Sequence, residues 1–219
     1  MKALLPLILL MATSPFGVLA ASAPLPPQAV IRIPGGAHGI GFDDIGYSGK
    51  LDRITIPAGT TGNLVLMDPV THALTIIPDV STPPKVKSFR EGTTSAIYAE
   101  GYLFASDHDP TEIVTINPRT HAVIGRTKLE SGPDYIRYVA RTHEIWVTEP
   151  GKAQIQVFKL AVDPKPVLTP ETVIRVAGGP ESLEIDDQRN RAYSNLWKNK
   201  TVEMELTTHQ VLAEWPNTC

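Results

Sequence analysis

Four residues occupy the same place in a recurring glycine-led string, and three of them carry groups that ligate metals. His38 lies in Gly36-Ala37-His38-Gly39-Ile40, Thr94 in Gly92-Thr93-Thr94-Ser95-Ala96, Asp134 in Gly132-Pro133-Asp134-Tyr135-Ile136 and Glu181 in Gly179-Pro180-Glu181-Ser182-Leu183. Two carboxylates and an imidazole converging on one opening would hold a divalent cation, calcium or zinc, through oxygen and nitrogen ligands. With Asp134 and Glu181 in one site, such a centre would support metal-dependent hydrolysis, of a lactone for example. The same residues read equally well as strand-start caps, or as a polar entrance that binds a ligand without changing it.

The remaining acids and histidines point to turns. Asp107-His108-Asp109 stands just ahead of Pro110, where Asp and His cap a turn as readily as they ligate a metal. Asp43-Asp44 and Asp186-Asp187 fall at matching turns after inner strands, and Thr71-His72, Thr120-His121 and Thr208-His209 recur once per repeat. Repetition at a turn marks structure, because a catalytic group has no reason to recur in every unit. The chain contains no Gly-x-Ser-x-Gly elbow, no Gly-x-x-x-x-Gly-Lys loop, no His-Glu-x-x-His pair and no Cys-x-x-Cys-His. Lys85, Lys87 and Arg90 with Phe89 form a small basic cluster that reads as a solvated loop.

The elements that must position these residues follow from composition and spacing. At 219 residues, 42% hydrophobic and 20% charged, the chain has the apolar content of a globular protein. A single cysteine, Cys219, excludes both a disulfide-stapled mini-domain and a cysteine-ligated zinc module. Twenty Pro and 16 Gly, spread over the whole length, cut the chain into short segments and favour strands over long helices. The net charge of −3 shows no basic surplus, which argues against nucleic acid as a partner. Residues 1–20 have the form of a signal peptide: Lys2, an apolar run from Leu4 to Met11, and Val18-Leu19-Ala20 before the cut. That run is shorter than the roughly 20 residues a spanning helix needs, so no membrane span is expected after cleavage. The mature chain is expected to be secreted or periplasmic, with a Pro-rich leader over residues 21–28.

Beyond the leader, three strings repeat in the same order. Val30-Ile31-Arg32-Ile33-Pro34-Gly35-Gly36 matches Val173-Ile174-Arg175-Val176-Ala177-Gly178-Gly179, and Asp68-Pro69-Val70-Thr71-His72 matches Asn117-Pro118-Arg119-Thr120-His121. With the glycine-led strings they set a unit of roughly 40 to 50 residues, the period of propeller blades. Each unit holds four short strands. The second is predicted at Ser95–Tyr98, Tyr102–Ser106, Ile113–Ile116 and Ala122–Lys128, the third at Tyr135–Val139, Glu144–Thr148, Ile155–Phe158 and Val173–Val176, and the fourth at Ser182–Ile185, Arg191–Asn195, Val202–Leu206 and Gln210–Trp215. Doubly apolar runs such as Leu64-Val65-Leu66-Met67 suit strands packed between neighbouring sheets. The expected fold class is all-β, a β-propeller of four-stranded antiparallel blades over residues 29–219. The Asp43 to Lys50 stretch is expected as a long connection.

Segments such as Glu144-Ile145-Trp146-Val147-Thr148 and Asn190-Arg191-Ala192-Tyr193-Ser194-Asn195, each leading to an Asp-Pro-x-Thr-like turn, resemble the YVTN-repeat, YncE-like secreted β-propellers. The resemblance covers residues 29 to 219 and implies a seven-bladed ring. Ala29 to Pro34 matches an outermost strand although no inner strands precede it, so four blades and one leading outer strand are expected, an N-terminal portion of a longer propeller. The resemblance also implies that Cys219 is half of a disulfide whose mate lies outside this chain. Gluconolactonase-like propellers hold a cation at their channel, and the YncE-like group includes a DNA-binding member. Two functions follow: a binding module for a protein or small ligand without catalysis of its own, or a metal-dependent lactonase or hydrolase using the channel carboxylates.

Overall fold

Short apolar runs between turn formers build antiparallel strands, because each turn reverses the chain before a helix can nucleate. The computed structural model describes residues 30–82 and 92–217. The expected signal peptide over residues 1–20, the expected leader over 21–28, the Lys85–Arg90 cluster and Cys219 lie outside the described residues. The described residues from 31 onward belong to one compact unit.

Its described residues form four four-stranded antiparallel sheets, each in simple chain order. The first holds β1 (Gly46–Ser48), β2 (Arg53–Ala58), β3 (Asn63–Met67) and β4 (Leu74–Ile77), and the second β5 (Thr93–Ala99), β6 (Tyr102–His108), β7 (Thr111–Asn117) and β8 (Ala122–Lys128). The third holds β9 (Ile136–Val139), β10 (Glu144–Glu149), β11 (Gln154–Ala161) and β12 (Val167–Arg175), and the fourth β13 (Glu184–Asp186), β14 (Arg191–Leu196), β15 (Lys200–Glu205) and β16 (Val211–Pro216). Helix among the described residues is confined to two single 3₁₀ turns, Gly59–Thr61 and Pro150–Lys152. First strands meet from sheet to sheet, β1 with β5, β5 with β9 and β9 with β13, which makes them the inner edge of the array. The all-β propeller-blade architecture is therefore as the repeats predict.

Three sheet-to-sheet clusters form the core. Leu64, Leu66 and Ile77 of the first sheet meet Ala96, Leu103 and Val114 of the second. Phe104 and Ile113 meet Ile145, Val147 and Phe158, and Trp146, Ile155 and Val157 meet Ala192, Val202 and Met204. Trp146 and Phe158 are wholly buried, which stabilises each sheet pair by about 2–3 kcal/mol per side chain.

The turns behave as the sequence predicts. Asp68 accepts the amides of Val70 and Thr71 at 2.9 and 2.8 Å, and Asn117 accepts that of Arg119 at 2.9 Å. His72, His121 and His209 each take φ near 60°, closing these turns with a left-handed residue.

Two local expectations need correction. The stretch expected as a connection from Asp43 to Lys50 contains β1; a three-residue strand bearing Gly46 has almost no β propensity to reveal it. The third blade's outer strand β12 begins at Val167 rather than Val173, with Pro170 inside it. Proline is tolerated there because β12 is an edge strand. Residues 30–34, the described part of the expected leading strand at 29–34, pair with none of the four sheets, and Ile33 and Ile40 pack on Ile56, Ala58 and Val65 of the first sheet.

Candidate functional site

Pairing registers align the four inner strands. Gly46 opposes Thr55, Ile97 opposes Phe104, Arg137 opposes Trp146, and Glu184 opposes Tyr193, so these four inner residues stand at one level. Counting back three positions gives Asp43, Thr94, Asp134 and Glu181. Thr94, Asp134 and Glu181, matched by the repeat alignment, thus share one register position ahead of their inner strands' aligned residues. The same alignment places His38 where the backbone puts Asp43, because the first glycine-led string lies five residues too early.

The chain before β1 crosses the inner edge of the second sheet. The amides of Asp43 and Asp44 both donate to Thr94 O, at 3.1 and 3.2 Å. This crossing aims the Asp44 carboxylate at the third sheet. Its Oδ2 accepts Ser95 Oγ at 2.9 Å and Arg137 Nη1 at 2.5 Å. Arg137 Nη2 reaches Glu184 Oε1 at 3.1 Å, so one guanidinium joins the first, third and fourth sheets. The guanidinium carbon stands 5.1 Å from the centre of the Tyr135 ring, and the Tyr135 hydroxyl donates to Asp43 O at 3.2 Å.

The inner strands of all four sheets enclose a cavity of about 580 Å³, lined by Asp44, Tyr47, Ile97, Arg137, Tyr138 and Glu184 among others. The Arg137 side chain is only 16% exposed, whereas that of Glu184 is 72% exposed. Ile45 and Tyr47 open apolar surface to the cavity at 49% and 62% exposure. Burial acts to lower the Arg137 pKa, but the hydrogen bond and charge of Asp44, with Glu184 behind them, overcome it and raise the value. Burial raises the Tyr135 hydroxyl pKa, and the Asp44 charge adds to the effect. Burial, reinforced by a 2.6 Å hydrogen bond to Glu100, does the same to Tyr138. These are positioned, desolvated groups suited to orienting a ligand.

The predicted entrance residues are brought together only in part. Thr94 is buried, and its Oγ1 donates to the main-chain oxygen of Asp134 at 3.2 Å. Thr148 Oγ1 donates likewise to the main-chain oxygen of Glu181 at 3.1 Å. The first contact ties the start of the second blade to that of the third, and the second ties β10 of the third blade to the start of the fourth. His38 is an exposed turn residue beside the isolated bridge between Ala37 and Gly39. Among the described residues no group of three or more His, Cys, Asp and Glu is arranged to hold a metal ion.

The Asp107-His108-Asp109 string takes its expected turn role, and it also buries a carboxylate. Asp107 lies inside β6 and is fully buried. Its Oδ1 accepts the amide of Asp109 at 3.3 Å, while Oδ2 has no hydrogen-bond partner. Burial, with a smaller push from Glu112, raises its pKa to about 7. Beside it, Glu112 pairs with Arg126, whose Nη2 donates to Asp79 O at 2.8 Å. Asp44 departs from expectation, since it precedes its inner strand, whereas Asp186 ends β13 and caps the amide of Arg189 at 3.0 Å.

Sequence reasoning passed over Arg137, Glu184, Asp44 and Tyr47. A signal was present for two of them: Arg137 and Glu184 each fall three residues beyond an entrance acid, a charged residue at one register position of two inner strands. Asp44 and Tyr47 were hidden by the missed strand β1.

No family model matches the chain, and no curated protein matches it in sequence. Solved structures do match in fold. A streptogramin B lyase aligns with a TM-score of 0.63 at 12% identity over 82% of this chain and 55% of its own. A 6-phosphogluconolactonase-like protein of Bacteroides uniformis aligns with a TM-score of 0.59 at 12% identity, over 79% and 56%. The β-propeller domain of Cps50 (Swd1) from Myceliophteria thermophila aligns with a TM-score of 0.58 at 14% identity, over 74% and 57%. The fold is a β-propeller. This chain spans about half the length of the structures it matches.

Proposed function

We propose that the chain is an exported binding module that holds a ligand on the inner-strand face of its propeller blades, without chemistry of its own. The observation that carries this reading is the cavity to which all four inner strands contribute, with Arg137 fixed between Asp44 and Glu184 at its wall. A carboxylate already holding a guanidinium and a hydroxyl, as Asp44 does, is a fixed recognition group rather than a mobile base. Export rests on the sequence of residues 1–20, and a YncE-like affinity rests on the repeat strings. Among the described residues no helix is long and apolar enough to cross a membrane.

A thermal-shift screen of a chemically varied fragment set, run on the wild type and on Tyr47→Ala, tests the reading. Tyr47 is an exposed lining residue, so its truncation leaves the fold intact while removing cavity wall. Fragments that raise the wild-type Tm and lose that effect in Tyr47→Ala support the site. Hits that stabilise both proteins equally overturn it.

A further inference from the structure

We propose that the inner-strand cavity selects a small molecule carrying an ammonium group on an apolar or aromatic body. The inference rests on the binding reading above and names the ligand class. Three observations set the polarity of the site. First, the Arg137 charge is spent: its two terminal nitrogens face Asp44 and Glu184, and its side chain is nearly withdrawn from solvent. A guanidinium already matched by two carboxylates offers little attraction to a further anion. Second, Glu184 is the carboxylate turned to solvent, giving one oxygen to Arg137 while the rest of the group faces the cavity opening. The Asp44–Arg137–Glu184 set therefore carries one net negative charge, held in place by the buried half of the set. Third, Ile45 and Tyr47 line the same cavity as exposed apolar and aromatic surface, together with Ile97 and Tyr98, and the Tyr47 hydroxyl donates to Asp52 at 2.9 Å. An aromatic face next to a carboxylate is the setting in which an ammonium gains both ion pairing and cation–π attraction.

Lys50 also lines the cavity. It lies beyond the end of β1, whereas Glu184 stands level with Gly46 at the start of that strand. Glu184 pairs with Arg137, and Lys50 makes no ion pair with it. A body of the size of phenethylamine fits easily within a site of about 580 Å³.

The test compares three probes with one aromatic body: phenethylamine, 2-phenylethanol and phenylacetate. Binding is read from amide shifts of residues 45–48, 97–98 and 184 in a titration of the full chain. The expected result is phenethylamine binding at least tenfold more tightly than phenylacetate, with 2-phenylethanol between. Glu184→Gln should erase that preference while the alcohol still binds, and Lys50→Ala should leave it in place. Equal affinity for all three probes, or a preference for phenylacetate, at those same amides overturns the ammonium class and leaves the cavity as a binding site. No shift at those amides with any probe overturns the binding reading along with it.

Discussion

Asp107 should make the stability of this protein fall as pH rises from about 4 to about 7, and Asp107→Asn should remove that fall. The carboxyl is fully buried in β6 with one oxygen unpartnered, and its pKa rises from an ordinary 3.8 to about 7. Below its ordinary value the group is protonated in both folded and unfolded chains, so it costs nothing there. Between the two values the folded chain holds the proton that the unfolded chain has released, and stability declines with each pH unit by about 1.4 kcal/mol. Above the folded value the loss is complete and constant. Across some three pH units the limit is about 4 kcal/mol, and local rearrangement around the charge brings the expected loss to about 2–4 kcal/mol. An asparagine at this position keeps the acceptor for the Asp109 amide and carries no charge. Urea unfolding of both proteins at about pH 4 and about pH 8 measures the effect. The variant should gain about 2–4 kcal/mol relative to the wild type on going from the lower to the higher pH. A stability difference that stays constant across that range would refute the argument that burial, rather than a partner, governs this carboxyl.

Arg137→Met should destabilise the chain by about 2–4 kcal/mol, because it strands the buried Asp44 carboxylate, and adding Asp44→Asn should recover part of the loss in urea unfolding. Gly92→Ala should cost about 3 kcal/mol or more, since a Cβ there would stand 2.4 Å from Gly59 O and the residue has φ of +84°; circular dichroism melting reads the loss. Glu144 resists burial through hydrogen bonds from Trp146 Nε1 at 2.9 Å and with His209 Nε2 at 3.0 Å, and its pKa is lowered as a result. Its contribution is therefore present above the ordinary carboxylate value and lost as pH falls through the lowered one. Glu144→Ala should lose about 2–3 kcal/mol at neutral pH and progressively less in acid, again by urea unfolding.

Much of the fold was legible because turn chemistry and periodicity repeat. Ala122–Lys128 forms a strand at its predicted bounds, since Asn117-Pro118-Arg119-Thr120-His121 fixes where it starts and Gly132-Pro133 follows where it has ended. The first blade was harder, because β1 is three residues long, begins on Gly46 and is followed at once by Gly49, with no β-branched residue within it. That one missed strand displaced the first entrance position from Asp43 to His38. The binding wall was less legible for a different reason. Asp44, Arg137 and Glu184 come from three sheets and are 93 and 47 residues apart along the chain, and a one-blade repeat carries no record of which polar side chains meet across the inner face. Buried acids such as Asp107 and Glu144 were equally hidden, since sequence alone does not distinguish an acid that caps a turn from one enclosed between sheets.

The most direct test of the central claim is an amide shift map of the wild-type chain titrated with phenethylamine. The account predicts shifts concentrated at residues 44–50, 96–98, 137–138 and 184, the segments lining the inner cavity. Shifts centred instead on residues 79–82, 110–112 and 126, around the smaller cavity near Arg126, would contradict it.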